Sequence, residues 1–244
     1  MNITPKDDGL LHLAGMALWT RDAGSEPLPA AAMLNPRARG RASLLTLMFA
    51  EVVGQAAAEA EFEHGSFATV YGSSFGEMER LIELLHSMQG SASEVSPLRF
   101  QTSVHNAAAG QISIASKNTA FSTSIAAGNN TVAMGFVEAV AWMKTYAQPL
   151  VLALGDEAPP ARLHPGEPYA PIAAAFAFVP PSEARPEHAR LQVHLNEAGG
   201  PPRAGLVHNP CAVLQPLTAW LAAGSVGVFS LSGAAGSAYC IERL

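Results

Sequence analysis

Charge is scarce in this chain. Only 14% of its 244 residues are Asp, Glu, Lys or Arg, against about 25% in ordinary soluble domains. Two explanations stand: an Ala-rich domain whose small residues raise the apolar count, or a surface partly covered by a protein partner, since interface cores are depleted in charge. Basic residues are the scarcer sign, giving a formal net charge of −6. With no basic stripe, nucleic acid is not an expected partner. No apolar run reaches the roughly 20 residues of a bilayer span, and no basic, apolar leader opens the chain. Two cysteines, Cys211 and Cys240, form neither a CxxC pair nor a disulfide framework, so a reducing cytoplasm is the expected setting. The eight histidines lack HxH, HxxxH and HExxH spacing, and no acidic cluster accompanies them, which argues against a metal site. The glycines near 128 and 135 fit no GxGxxG fingerprint. No cofactor is implied.

What is present is a series of short apolar segments within a length that suits one large α/β domain or two small ones. Residues 9–19 read as a strand. Ser43 is placed to cap a helix reaching about Glu61, with Leu44, Leu47, Met48, Val52 and Ala56 near helical spacing. A strand at 67–71, a turn at 72–76 and a helix bearing Met78, Leu81, Ile82, Leu85 and Met88 follow. After a Ser/Gly loop at 90–97 come an Ala-rich helix over 104–116, expected to be buried on several sides, and a strand–turn–helix unit to about Tyr146. Strands are expected at 150–154, 172–179, 191–195, 226–231 and 238–241, and a helix at 213–223. Pro-rich stretches interrupt 155–168 and 199–202. The alternation of strands and helices through the first 155 residues predicts a largely parallel sheet with helices on both faces. Asp7, Asp8, Glu59 and Glu61 read as a solvated terminus and a solvated helix face.

Two turns could carry chemistry. Gly72-Ser73-Ser74-Phe75-Gly76 matches the G-x-S-x-G elbow of α/β-hydrolases, with Asp156 and one of His164, His188, His194 or His208 in the order serine, acid, histidine. The plainer reading is a strand–helix turn bounded by glycines that permit close packing. The second turn follows Ser122-Thr123-Ser124-Ile125. A side chain there is expected at a helix N-terminus, where backbone N–H groups would stabilise a thiolate or oxyanion. Ile125 has nothing to deprotonate. His105, in the Ala-rich helix, reads as a satisfied core or interface histidine.

Three stretches together resemble a β-ketoacyl synthase subunit of the thiolase fold. Gly72 to Glu77 resembles the turn at which those enzymes set an apolar gate over the acyl tunnel. Phe100 to Gln111, with Asn106 and Ala109-Gly110, resembles the segment leading to the active-site turn. Thr123 to Gly128 resembles the Thr-Ala-Cys-x-x-Gly elbow, with Ile125 in the cysteine position. The likeness is good over residues 9–180. Residues 181–244 read as a reduced C-terminal part of a single domain, in which Leu214–Gly224 and Phe229–Gly233 echo the family's late helix and final strand. The segments carrying the family's two histidines are missing.

The resemblance therefore implies a subunit with no catalytic residue of its own, because nucleophile and base are lost together. It implies a chain-length factor of the type found in aryl polyene and other type II polyketide systems, paired with a catalytic ketosynthase and meeting an acyl carrier protein transiently. Phe75 is the expected gate. Met78, Phe100, Thr102, Ser103 and His105 are the other tunnel or interface candidates. Two alternatives remain: a stand-alone thioester-binding protein using Ser124 or Cys211, and a serine hydrolase using Ser74. The role of His208-Asn209-Pro210, site or turn, is left open.

Overall fold

The computed structural model describes residues 9–21, 28–63, 65–89, 96–158, 170–196, 209–231 and 238–244. Asp7, Asp8, His164, His208, most of the loop at 90–97, Ser232-Gly233 and most of both Pro-rich stretches lie outside the described residues. In chain order the elements are β1 (Leu10–Thr20), α1 (Pro36–Arg39), α2 (Leu44–Glu59), β2 (Ala68–Gly72), α3 (Met78–Met88), α4 (Pro97–Gln101), α5 (Ala107–Ser116), β3 (Ser122–Ile125), α6 (Thr131–Tyr146), β4 (Leu150–Asp156), β5 (Ile172–Val179), β6 (Ala189–Asn196), α7 (Leu214–Ala222), β7 (Gly227–Ser230) and β8 (Ala238–Arg243). Ser43 caps α2 as expected, its Oγ accepting the Thr46 N–H at 3.0 Å.

The strands form one eight-stranded sheet in the order β3-β2-β4-β5-β1-β6-β8-β7. The fold class is α/β with a mixed sheet, but the sheet is not mostly parallel. Among the described strands, only β2–β3 and β2–β4 pair in parallel, and the other five pairings are antiparallel. The expectation held where helical crossovers act: β1, β2, β3 and β4, separated by helices, all run the same way. It failed because β5 inserts antiparallel between β4 and β1, and because β6, β7 and β8 continue the sheet antiparallel, a pairing that needs no helical crossover.

Side-chain alternation sorts the two faces. Leu150, Leu152 and Leu154 of β4, with Ala174, Phe176 and Phe178 of β5, pack against α6 and α7. Val151 and Ala153, with Ala173, Ala175 and Ala177, face α2. That small-residue face lets α2 lie close. At Gly15, where the β1–β5 register shifts, an added Cβ would stand 2.5 Å from the Ala56 carbonyl oxygen. Glu59 is engaged there and is not merely solvated: its Oε2 accepts the Met16 N–H at 2.8 Å.

The Ala-rich helix departs from expectation twice. It starts at Ala107, because Ser103 hydrogen-bonds the Phe100 carbonyl and His105 turns away to Ser73. It is also buried on one side only, through Ala107, Ala108, Ala109 and Ile112, while Ile114 is 75% exposed. No helix among the described residues is long and apolar enough to cross a membrane.

Candidate functional site

The parallel strands β2, β3 and β4 end on the same side of the sheet, the side on which α/β sheets hold their ligands. Three pieces meet there: the turn at 73–77, the turn at 126–130 and the carboxylate of Asp156.

Asp156 closes the otherwise apolar strand β4 and is itself fully buried. Its Oδ1 accepts from Ser73 Oγ at 2.5 Å and from the Phe75 N–H at 3.1 Å. Its Oδ2 accepts from the Ser74 N–H at 2.9 Å and from Cys211 Sγ at 3.3 Å. Burial raises its pKa, and those four donors pull it back towards the ionised form. Ser73 Oγ in turn accepts the Gly76 N–H at 2.8 Å. Gly76 has a φ of +57° and lies so near the His105 ring that a Cβ would approach Cδ2 to 2.5 Å, so only glycine fits. His105 Nε2 meets the Ser73 carbonyl at 2.9 Å. Beyond the turn, Glu77 Oε1 accepts from Ser43 Oγ at 2.8 Å and Thr46 Oγ1 at 2.9 Å, tying the turn to the start of α2.

Ile125 is the last residue of β3. Its carbonyl accepts the Ser73 N–H at 3.2 Å, and its side chain packs beside Gly72 and the α6 cluster. The expected placement at the helix N-terminus is corrected: α6 starts only at Thr131, after Gly128 (φ +53°) and a short 3-10 turn. The Gly128 carbonyl accepts from Ser74 Oγ at 2.8 Å and from Thr131 Oγ1 at 2.7 Å, joining the two turns.

This wiring works against a serine hydrolase. The Ser74 hydroxyl is spent on a carbonyl, and Asp156 meets no described histidine. His188 Nδ1 accepts the Arg185 N–H, and His194 pairs with Glu242 at 3.0 Å across β6 and β8. Cys211 is equally ill-suited to attack a thioester: burial, then the neighbouring Asp156 charge, push its thiol well above the usual value. Asn209 settles as a buried turn residue, its Nδ2 donating to the Asp156 and Ala170 carbonyls at 2.9 and 3.0 Å.

The remaining candidates divide. Phe75 and Met78 are half-buried at and just after the pinned turn, with His105 against it. Phe100 is 58% exposed on α4, and Thr102 and Ser103 donate to carbonyls of their own segment. Between α5 and the edge strand β3 lies an open notch of about 490 Å³ lined by His105, Gly110, Ser113, Ser122 and Ser124 among others. The Ser124 Oγ is buried there without a hydrogen-bond partner. Sequence reasoning missed Asp156 as a structural clamp and, although it placed Glu77 at the end of the turn, missed its tie to α2. Charged groups directly after an apolar strand and after a Gly-bounded turn were the available signal.

The chain resembles several solved structures. One chain of the Xenorhabdus doucetiae complex of ketosynthase ApeO with its chain length factor ApeC aligns at a TM-score of 0.69 and 21% identity, covering 96% of this chain and 99% of that one. The ishigamide ketosynthase/chain length factor aligns at 0.60 and 17%, covering 89% and 74%. A type II polyketide-synthase acyl-carrier protein in complex with its ketosynthase bound to the hexaketide, AntDE:AntF, aligns at 0.55 and 11%, covering 78% and 70%. At such identities these likenesses speak for the fold, which is thiolase-like. None of the curated proteins compared matches the chain. The model of the beta-ketoacyl synthase N-terminal domain matches residues 17–219, and the chain belongs to the β-ketoacyl synthase family.

Proposed function

We propose that this chain, as one unit over residues 1–244, is a non-catalytic chain-length-factor subunit. It pairs with an active ketosynthase in the cytoplasm, meets acyl carrier protein only through that complex, and shapes the acyl tunnel of an aryl polyene-type or related polyketide or fatty-acid-like pathway. One observation carries the reading: aliphatic Ile125 ends β3 within the stretch Thr123 to Gly128 that resembles the family's cysteine elbow, and most of the nearby nucleophilic groups are already bonded. Ser73, Ser74 and His105 bond carbonyls or the Asp156 carboxylate, and Cys211 is held by Asp156.

The surface supports a partner. The edge strand β3 offers polar backbone, and Ile114 on the bare side of α5 and Phe121, which is 48% exposed, offer apolar side chains. Free strand edges and uncovered apolar patches are normally protected or occupied. Phe75 is the stop we assign to the tunnel; Met78 and His105 flank its turn, and Phe100, Thr102 and Ser103 belong to the adjoining interface segment.

Co-expression with a ketosynthase of this family, followed by size-exclusion chromatography with light scattering, tests the pairing. A stable complex with one copy of each chain is expected. A well-folded monomer with no affinity for the ketosynthase would overturn the proposal.

A further inference from the structure

The turn carrying Phe75 is pinned more thoroughly than a strand–helix connection requires. The N–H groups of Ser74 and Phe75 both end on Asp156, and that of Gly76 ends on Ser73 Oγ, which itself bonds Asp156. Each carboxylate oxygen accepts two donors, so neither could be exchanged for an amide NH2 without setting donor against donor. The opposite side of the clamp comes from the reduced C-terminal part of the chain. Cys211 Sγ donates to Asp156 Oδ2, and Asn209 Nδ2 holds the Asp156 carbonyl while Asn209 Oδ1 accepts the Cys211 N–H at 2.8 Å.

We infer that Asp156 is the positioning residue for Phe75, braced from behind by the Asn209–Cys211 turn, so that the stop is carried on a fixed backbone and not on a moving loop. The part of this inference concerning product length rests on the proposed function above; the clamp itself does not. With Phe75's backbone held at its N–H and at the next residue's, its ring can reorient only about its own side-chain bonds. The C-terminal part thereby acquires a task, carrying the brace that keeps the stop in register.

Asp156→Asn, Ser73→Ala and Phe75→Ala are the variants to compare, first by hydrogen exchange on the purified chain. Losing a charge-assisted bond should speed exchange of the Ser74 and Phe75 amides at least about tenfold in Asp156→Asn, with the Leu152 and Leu154 amides of β4 as protected as in the parent. Ser73→Ala keeps the carboxylate and should speed Gly76 in the same way, which gives a test if Asp156→Asn fails to fold. In the ketosynthase complex, Asp156→Asn should broaden the product-length distribution towards that of Phe75→Ala, and the double variant should match Phe75→Ala alone. Unchanged protection at residues 74–76 in both clamp variants, or an equal loss of protection along β4, would overturn the clamp. If the turn loosens while Phe75→Ala leaves product lengths as in the parent, the clamp stands and the stop falls.

Discussion

The turn at 73–77 and the margin formed by α5 and β3 lie side by side, sharing His105, and they are finished to different degrees. In the turn, three successive N–H groups and both oxygens of Asp156 meet defined partners, and Glu77 is held through Oε1 while its buried Oε2 has none. At the margin, Ile114 stands in solvent, and a Cβ at Gly110 would meet nothing within 4 Å. A half-buried phenylalanine on a firmly held turn thus lies next to a surface left bare. On the proposed function, this is the contrast expected of a subunit whose inner wall is set by its own fold and whose outer wall another chain supplies.

The largest expected effect breaks the bare side. Ile114→Asp places a charge in the proposed interface and should weaken ketosynthase binding by about 2–4 kcal/mol, thirtyfold or more. At so exposed a position the isolated chain should keep its stability within about 0.5 kcal/mol. Titration calorimetry and urea unfolding check the two halves. A loss of fold without a loss of affinity would reverse the roles assigned to the two regions.

Next comes the finished side. Overfilling an apolar slot costs about 1–3 kcal/mol, roughly a five- to hundredfold penalty on each further extension step. Phe75→Ala should therefore lengthen or broaden the chains made by the complex, and Phe75→Trp should shorten them, as read by mass spectrometry of products. The parent's distribution in both would make Phe75 core filler.

The fold's main layers were legible in the sequence because local patterns carry them. Ser43 before a helical stripe gave α2 its start, and the unbroken apolar run Ile172–Val179 gave β5 its bounds. What a local pattern does not carry is which strand lies beside which, and so the antiparallel insertion of β5 was missed. From sequence alone Asp156 fits the acid of a hydrolase triad, for a related reason. A carboxylate behind an apolar strand is chemically ambiguous until the fold shows that its donors are Ser73, two amides and Cys211. Ile125 was legible through resemblance alone, since an isoleucine carries no signal of what it replaces.

A third prediction concerns a group beside the finished turn that lacks a partner. Glu157 has a buried, unbonded Oε1, and burial, followed by the nearby charges of Glu77 and Glu79, pushes its carboxyl up to about 8. Between the unfolded value near 4.5 and the folded value near 8 the native chain holds a proton that the unfolded chain has released. Stability therefore falls as pH rises through that window, with a slope of up to about 1.4 kcal/mol per pH unit. Glu157→Gln should flatten the decline and be the more stable protein at the alkaline end. Urea unfolding of both proteins across the window checks it; a parent that gains stability with rising pH there contradicts it.

The smallest effect is expected at the position that attracts most notice. Ile125→Val removes one methylene from a partly buried site and should cost about 0.5–1.5 kcal/mol, leaving product formation by the complex intact. A complex that assembled yet lost turnover would show this position to be chemically active.

On the proposed function, the acyl chain is never bonded to this subunit. Intact-mass spectrometry of the assembled complex, after loading with an acyl-carrier-protein thioester, tests it most directly. An acyl adduct on the ketosynthase partner and none on this chain is expected; an adduct on this chain, at Ser74, Ser124, Cys211 or any other residue, would overturn the non-catalytic role.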